Sequence, residues 1–336
     1  MTRITSYNIL AGGYDLHRNG STHRTQQLTT IIRSTQPDIV GLVEAINPLI
    51  AQRPLIVEQI ADELGMQLVM GSEPTHYHDY QTALLTKLPT VYKKIHARPG
   101  ILTRPLLEVC VEEANGEQLI VFVTHLAAAF SHGWAGNAIR VREVHEILRI
   151  LSHVQDKPHV IMGDFNSMAP GDFFKASYLL RYVVQMDSKR HTIGAADGNP
   201  HLNFVVPGPL RFLNPLLRII PKSSVLSNLF DLAAFLYAPR GTIALLQDAG
   251  YVDSYRRIHP HAFGFTCPSP APAGRIDFIF ANPTLAEHLE TCYTVVDGDG
   301  LPASHASDHL AVSATFGLSV KNSTQEVEST HVLSTS

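Results

Sequence analysis

The sequence predicts a layered α+β (or α/β) domain built on two β-sheets. Three observations carry that expectation. The chain of 336 residues is 45% hydrophobic and 17% charged, a globular composition with ample apolar surface to bury. Apolar, β-rich runs of about strand length recur from residue 4 to residue 316. Helical periodicity fills only some of the gaps between them, so the order is not the regular alternation of a single parallel βαβ sheet.

Taken in order, the first strand is expected over 4–10. Leu28, Ile31 and Ile32 then share one face of a helix over 26–35. A strand over 38–43 leads to a second helix over 54–64, with Leu55, Val57, Ile60 and Leu64 at helical spacing. Strands follow over 67–70, 83–86, 106–111 and 119–124. A longer helix over 138–151 is marked by Ile139, Val144, Ile147 and Leu151, and strands over 159–162, 276–280 and 310–316 complete the series. Two regions depart from this pattern. Residues 201–241 are rich in Leu, Phe, Ile and Pro, interrupted by Arg211, Arg218, Lys222 and Asp231. No unbroken apolar stretch there reaches the roughly 20 residues a bilayer span needs, and Pro207, Pro209, Pro215 and Pro221 interrupt any long helix. Residues 319–336, rich in Ser, Thr and Glu, read as a flexible tail.

The charge balance narrows the function classes. A net charge of −4 lacks the basic excess of a protein devoted to gripping nucleic-acid backbone. Cys110, Cys267 and Cys292 are odd in number and widely spaced, which fits neither a disulfide framework nor a zinc knuckle. The N-terminal residues lack the basic start and apolar core of a secretory signal, so the chain reads as cytoplasmic.

Chemistry-bearing residues sit where apolar runs end. In Val160-Ile161-Met162-Gly163-Asp164-Phe165-Asn166-Ser167 the Asp and Asn are two apart, so an extended backbone would point both side chains the same way. Asp277 lies inside an apolar strand and needs a partner, because an unpaired buried carboxylate is costly. His309, following Asp308 at the mouth of the last strand, is the natural one; a carboxylate that fixes a histidine tautomer is a general-base arrangement. Asn8, Glu44 and His125 close three further apolar runs. Each such ending is ordinary alone. Converged, they would make a site of carboxylates and amides with two imidazoles and no thiol, a set of hard donors that selects Mg²⁺, Mn²⁺ or Ca²⁺ over zinc.

The ordered segments Ser6-Tyr7-Asn8, Pro37-Asp38-Ile39-Val40-Gly41-Leu42-Val43-Glu44, Thr124-His125-Leu126, Gly163-Asp164-Phe165-Asn166-Ser167, Arg275-Ile276-Asp277-Phe278-Ile279 and Ser307-Asp308-His309 resemble the endonuclease/exonuclease/phosphatase superfamily. That superfamily includes pancreatic-type DNases, abasic-site endonucleases, deadenylases, neutral sphingomyelinases and inositol polyphosphate 5-phosphatases. The resemblance implies a DNase I-like four-layer α/β sandwich, two packed mixed β-sheets flanked by helices. It implies a single domain over 1–318 with an apolar insertion at about 175–262. The implied activity is divalent-metal-dependent hydrolysis of a phosphoester, foremost a phosphodiester, by in-line attack of an activated water. Glu44 would bind the metal (Mg²⁺, with Mn²⁺ or Ca²⁺ as alternatives), Asn8 would assist, and Asp308 would bind metal or water. Asp164 would position or deprotonate the water and Asn166 would hold a phosphate oxygen. His309, paired to Asp277, would serve as base or phosphate ligand, and His125 as a second imidazole facing the phosphate, the general-acid candidate. Arg140, in the helix after His125, falls where relatives carry a substrate-binding Arg; a surface salt bridge is the equal reading. Where relatives have an Asn before the fourth strand, this chain offers Gln81 and Thr82.

The substrate stays open at this point: DNA or RNA, a phospholipid or sphingomyelin, an inositol phosphate, or a smaller phosphodiester. A catalytically inactive binding or scaffold protein is the reading from another class, and no obligate protein partner is evident. A nucleic-acid groove would draw on Tyr77, Tyr80, Trp134, Arg140, Arg256 and Arg257. The stretch 201–241 would be a helical subdomain packing its Leu and Phe internally, or a membrane-facing lid, since 210–222 mixes apolar bulk with three cations as interfacial helices do.

Overall fold

A computed structural model describes residues 1–15, 22–46, 55–72, 81–128, 134–188, 212 and 214–317. β1 (Thr2–Asn8) and β2 (Ile39–Val43) run parallel, joined by α1 (Thr25–Ser34). After α2 (Ile56–Leu64), β3 (Gln67–Met70) and β4 (Ala83–Thr86) extend this sheet on one side. The second sheet begins with β5 (Thr90–His96), β6 (Leu106–Glu112) and β7 (Gln118–His125). The long helix α3 (Trp134–Leu151) crosses over to β8 (His159–Asp164), parallel to β7. α4 (Ala176–Ser188), α5 (Ser224–Tyr237) and α6 (Gly241–Asp248) precede β9 (Val252–Asp253) and β10 (Asp277–Ala281) of the same sheet. β11 (Leu289–Val295) and β14 (Ala311–Phe316) return to the first, and between them β12 (Asp297–Gly298) and β13 (Leu301–Pro302) form a separate two-strand hairpin. The orders are β11-β14-β1-β2-β4-β3 and β5-β6-β7-β8-β10-β9.

The two sheets pack face to face. Ile4, Ile39, Leu84 and Val312 of one meet Val109, Val121, Met162 and Ile279 of the other. Gly41 makes this closeness possible: a Cβ there would lie 2.5 Å from the Met162 methyl. Outside the first sheet, Leu28, Ile31, Val57 and Ile60 of α1 and α2 cover Val40, Leu42 and Leu85. Outside the second, Val144, Ile147, Ile243 and Leu246 of α3 and α6 cover Phe122, Ile161 and Phe280. These are the four expected layers. The central strands β2, β7 and β8 are buried on both faces, which is why they read as near-continuous apolar runs; β1, equally buried, carries Thr2, Thr5 and Ser6 among its inward residues. β5 and β11, outermost in their sheets, escaped the sequence reading: Lys93, Lys94 and Tyr293 face solvent and dilute the apolar signal.

Topology sets where the site lies. Because β1 and β2 are parallel, Asn8 and Glu44 emerge at one edge; because β7 and β8 are parallel, His125 and Asp164 emerge side by side. β10 runs antiparallel to β8 and starts with Asp277 opposite Asp164, while β14 runs antiparallel to β1 and is entered through Asp308 and His309. These seven residues therefore reach one end of the sandwich.

In the insertion, Leu180 and Val183 of α4 pack against Leu217, Ile220 and Phe230. Phe235 of α5 also packs on Phe173, while Val225, Leu229, Leu232 and Leu236 of the same helix face outward. No described helix is long and apolar enough to cross a membrane. Residues 201–211 and the tail 319–336 lie outside the described residues.

Candidate active site

Each functional side chain is placed by the last turn of backbone before or after a strand. Asn8 ends β1, and its Nδ2 donates to Asp164 Oδ2 at 3.2 Å and to Glu44 Oε1 at 3.5 Å. Its Oδ1 accepts from Leu10 N at 3.0 Å, while Glu44 Oε2 accepts from Ala11 N at 2.8 Å. Leu10, Ala11, Glu44 and Asn166 all have positive φ, between 47° and 55°. Such non-glycine strain clusters where side chains must be aimed for function.

Gly163 lets β7 and β8 deliver His125 and Asp164 together. At its φ of 141°, a Cβ would lie 1.9 Å from the Thr124 carbonyl oxygen. His125 Nε2 lies 3.8 Å from Asp164 Oδ2, and His309 Nε2 lies at the same distance from that oxygen. His309 Nδ1 donates to Asp277 Oδ2 at 2.9 Å. Ligand atoms of Asp164, Asp277 and His309 all fall within 4.8 Å of one another, and all three residues are buried. Ser307 ties the entry to β14 onto β1, donating from Oγ to the Asn8 carbonyl at 2.6 Å.

Over residues 5–309 the sequence matches the Endonuclease/Exonuclease/phosphatase family. The chain belongs to that family. Its members are phosphoester hydrolases, generally dependent on a divalent metal, and this protein is a phosphoester hydrolase. No curated protein sequence matches it. Its fold is similar to an AP endonuclease from Archaeoglobus fulgidus (TM-score 0.55, 16% identity, 95% of this chain and 100% of that one). It is also similar to the 3' phosphatase NExo from Neisseria bound to a product DNA hairpin (0.55, 15%, 95% and 100%). TDP2 from D. rerio complexed with a single-strand DNA product gives 0.53 and 15%, covering 94% of this chain and 99% of that one.

Within this family member, burial and crowded carboxylates dominate the electrostatics. Burial, reinforced by Asp277, pushes the Asp164 carboxyl up to about 7. Burial, reinforced by Glu44, pushes Asp308 up to about 6. Burial opposes a charged His309, but the adjacent Asp277 outweighs it and holds the imidazole well above its ordinary value. Burial, with Arg104 and His309 nearby, drives His125 the other way, so it stays neutral. Glu44, Asp164, Asp277 and Asp308 thus face His309, with Arg24 and Arg140 also within electrostatic reach. A divalent cation fits the chemistry of this donor set, in which hard carboxylate and amide oxygens predominate.

Several expectations need correction. The backbone is not extended from Asp164 to Asn166: β8 ends at Asp164, and Asn166 turns left-handed. Its N–H donates to Asp164 Oδ1 at 2.8 Å and its Nδ2 to the Leu126 carbonyl at 2.9 Å, so one amide hydrogen remains to point elsewhere. Arg140 is not in a surface salt bridge; it is buried and donates to the Ala127 carbonyl at 3.1 Å, shaping the loop after His125. The site does include a thiol, Cys267 beside His309, but burial pushes it up to about 11 and it stays protonated. Of the groove candidates, Tyr77, Tyr80 and the Trp134 side chain lie outside the described residues. Arg256 is committed to Asp172 and to the carbonyls of His259, Pro260 and Ala262, whereas Arg257 is exposed. Gln81 is buried beside the site, its carbonyl accepting from Ala45 N at 2.7 Å, and Thr82 turns its hydroxyl toward Gly71.

Sequence reasoning missed Arg24. Buried at the start of α1, it donates to the carbonyls of Ala306, Leu10 and Tyr14, pinning both loops that flank Asp308 and Glu44. No local motif marks it. It also missed the role of Arg275, fully buried between Asp172 (2.8 Å) and Asp253 (2.6 Å) two residues before Asp277.

Proposed function

We propose that the protein hydrolyses a phosphodiester by in-line attack of a water activated at Asp164. The observation that carries this reading is one carboxylate oxygen, Asp164 Oδ2, facing the Asn8 amide at 3.2 Å and two imidazoles at 3.8 Å. A base near pH 7 is matched to taking a proton from water at neutral pH. As the water oxygen bonds to phosphorus, Asp164 takes its proton, the opposite P–O bond breaks, and the leaving alkoxide is protonated by solvent. His309, held cationic by Asp277, serves as a phosphate ligand rather than as the base, lowering the cost of charge on the phosphoryl oxygens. His125, held neutral, acts as a hydrogen-bond donor rather than an acid. The remaining Asn166 amide hydrogen steadies another oxygen. Glu44, with Asn8 and Asp308 beside it, would hold the metal, Mg²⁺ by its oxygen-rich surroundings, and such an ion would supply neutralisation of the charge that develops on the phosphate.

A substrate panel tests this reading. Bis(p-nitrophenyl) phosphate, its monoester, and single- and double-stranded DNA would be assayed with Mg²⁺, Mn²⁺, Ca²⁺ or EDTA, with Asp164→Asn as the blank. Hydrolysis that survives EDTA, or that Asp164→Asn retains, refutes it. DNA belongs in the panel because NExo and TDP2 were solved with DNA products.

A further inference from the structure

α5 is built inside out. A surface helix ordinarily turns its apolar stripe to the core and its polar face to water. Here Ser227 and Asp231, four residues apart, are the buried positions, while Val225 (65% exposed), Leu229 (58%), Leu232 (56%) and Leu236 (73%) form a continuous outward stripe. The inward polar groups are satisfied. Asp231 accepts from Ser177 N at 2.7 Å and from Ser177 Oγ at 3.0 Å, with Lys175 Nζ at 3.8 Å. Ser227 Oγ donates to the Ile220 carbonyl at 3.1 Å. The orientation is thus fixed by hydrogen bonds that rotating the helix would break. The preceding segment Asn214–Lys222, bent 119° from α5, adds Leu216 and Ile219 to the exposed apolar surface. Soluble monomers rarely expose a contiguous patch of this kind without something that covers it.

We propose that this surface docks on an anionic lipid bilayer and presents a lipid phosphodiester to the active site, an inference that rests on the phosphodiesterase reading above. Charge favours a bilayer. The exposed ions of 214–240 are cationic, Arg218 and Lys222 among them, and the acid of that stretch, Asp231, is buried. Cations also lie over aromatic rings on the neighbouring segments, Lys175 over Phe173 (5.0 Å), exposed Arg181 over Tyr178 (5.7 Å) and Arg240 over Phe235 (4.4 Å), although Lys175 faces Asp231 and Arg240 donates to the Phe235, Ala238 and Asp172 carbonyls. Apolar bulk ringed by basic and aromatic side chains is the pattern of an interfacial helix resting among head groups.

The patch is continuous with the site. The Phe235 ring lies 5.7 Å from Phe173, Phe173 lies 5.8 Å from Phe263, and Phe263 stacks on Phe265 at 5.0 Å. Phe173 and Phe263 are exposed, and the next residue, Thr266, receives the backbone N–H of Leu310, directly after His309. An aromatic ridge therefore runs from the apolar helix to the loop beside His309.

Vesicle co-sedimentation of the full chain tests the docking, using phosphatidylcholine vesicles with and without phosphatidylserine, alongside turnover of a phospholipid in those vesicles and of bis(p-nitrophenyl) phosphate in solution. The wild type should sediment with vesicles, more so when phosphatidylserine is present. Leu229→Glu with Leu232→Glu, both exposed positions, should lower binding and vesicle turnover at least tenfold while soluble turnover is unchanged. Arg218→Gln and Lys222→Gln should each weaken binding to anionic vesicles about fivefold. Absence of vesicle binding by the wild type, unchanged binding by the glutamate double variant, or a solution dimer that the double variant abolishes would overturn the docking. Binding with no turnover of either substrate would instead refute the phosphodiesterase reading and leave the docking intact.

Discussion

Replacing Asp277 by Asn isolates the charge that governs His309. The two groups are 2.9 Å apart and buried, so the substitution keeps a hydrogen-bonding side chain of similar shape while removing one negative charge. An opposite charge at such range is worth about 1–3 pKa units, or roughly 1.4–4 kcal/mol. His309 is held above its ordinary value, so its cationic form persists to high pH and is lost as pH rises through that value. In Asp277→Asn the loss begins about 1–3 pH units earlier. Asp277 also raises Asp164, so its removal lets Asp164 ionise at lower pH. Both limbs of the kcat/KM profile should therefore move toward acid, and activity should be lost at lower pH on the basic side than in the wild type. The profile would be measured on bis(p-nitrophenyl) phosphate at saturating Mg²⁺. A profile that only loses height, its limbs unmoved, would refute the charge argument and leave Asp277 a packing residue.

Three further outcomes are expected. Gly163→Ala should destabilise the protein by at least about 3 kcal/mol in urea unfolding, because its Cβ has no room beside Thr124 at a φ suited to glycine; a loss below about 1 kcal/mol contradicts this. In EDTA, stability should decline as pH rises from about 4 through about 7, because the folded state keeps the Asp164 and Asp308 protons that the unfolded state gives up; Asp164→Asn should reduce the slope of a thermal-melting series across that window, leaving the part due to Asp308. Arg275→Met should cost about 3–5 kcal/mol by leaving Asp253 buried without a cation and Asp172 with Arg256 alone, and near-neutral unfolding data would contradict that.

The sandwich was legible because its inner strands are buried on both faces and so read as apolar runs. The same logic fails at the rims, where β5 carries Lys93 and Lys94 on a strand with a partner on one side. Asn8, Glu44, His125, Asp277 and His309 were legible as polar endings of those runs. Asn166 was misjudged because a periodicity argument continues a strand past the residue at which a left-handed turn stops it. Arg24 and Ser307 act by donating to carbonyls distant in sequence, and such bonds leave no local pattern. The spacing of Ser227 and Asp231 marks one face of α5, but only Ser177 and Ile220 reveal that this face points inward.

Asn8 and His309 belong to one sheet, whereas Asp164 and Asp277 belong to the other. The Asn8–Asp164 and His309–Asp277 hydrogen bonds are therefore rivets across the seam between the two halves of the sandwich, and the catalytic geometry exists only while the seam is in register. A slide of one sheet against the other by an ångström would part both bonds while every strand kept its own ladder. Turnover in this enzyme is thus a gauge of inter-sheet alignment, and core changes around Met162 and Gly41 should register in kcat before they register in secondary structure.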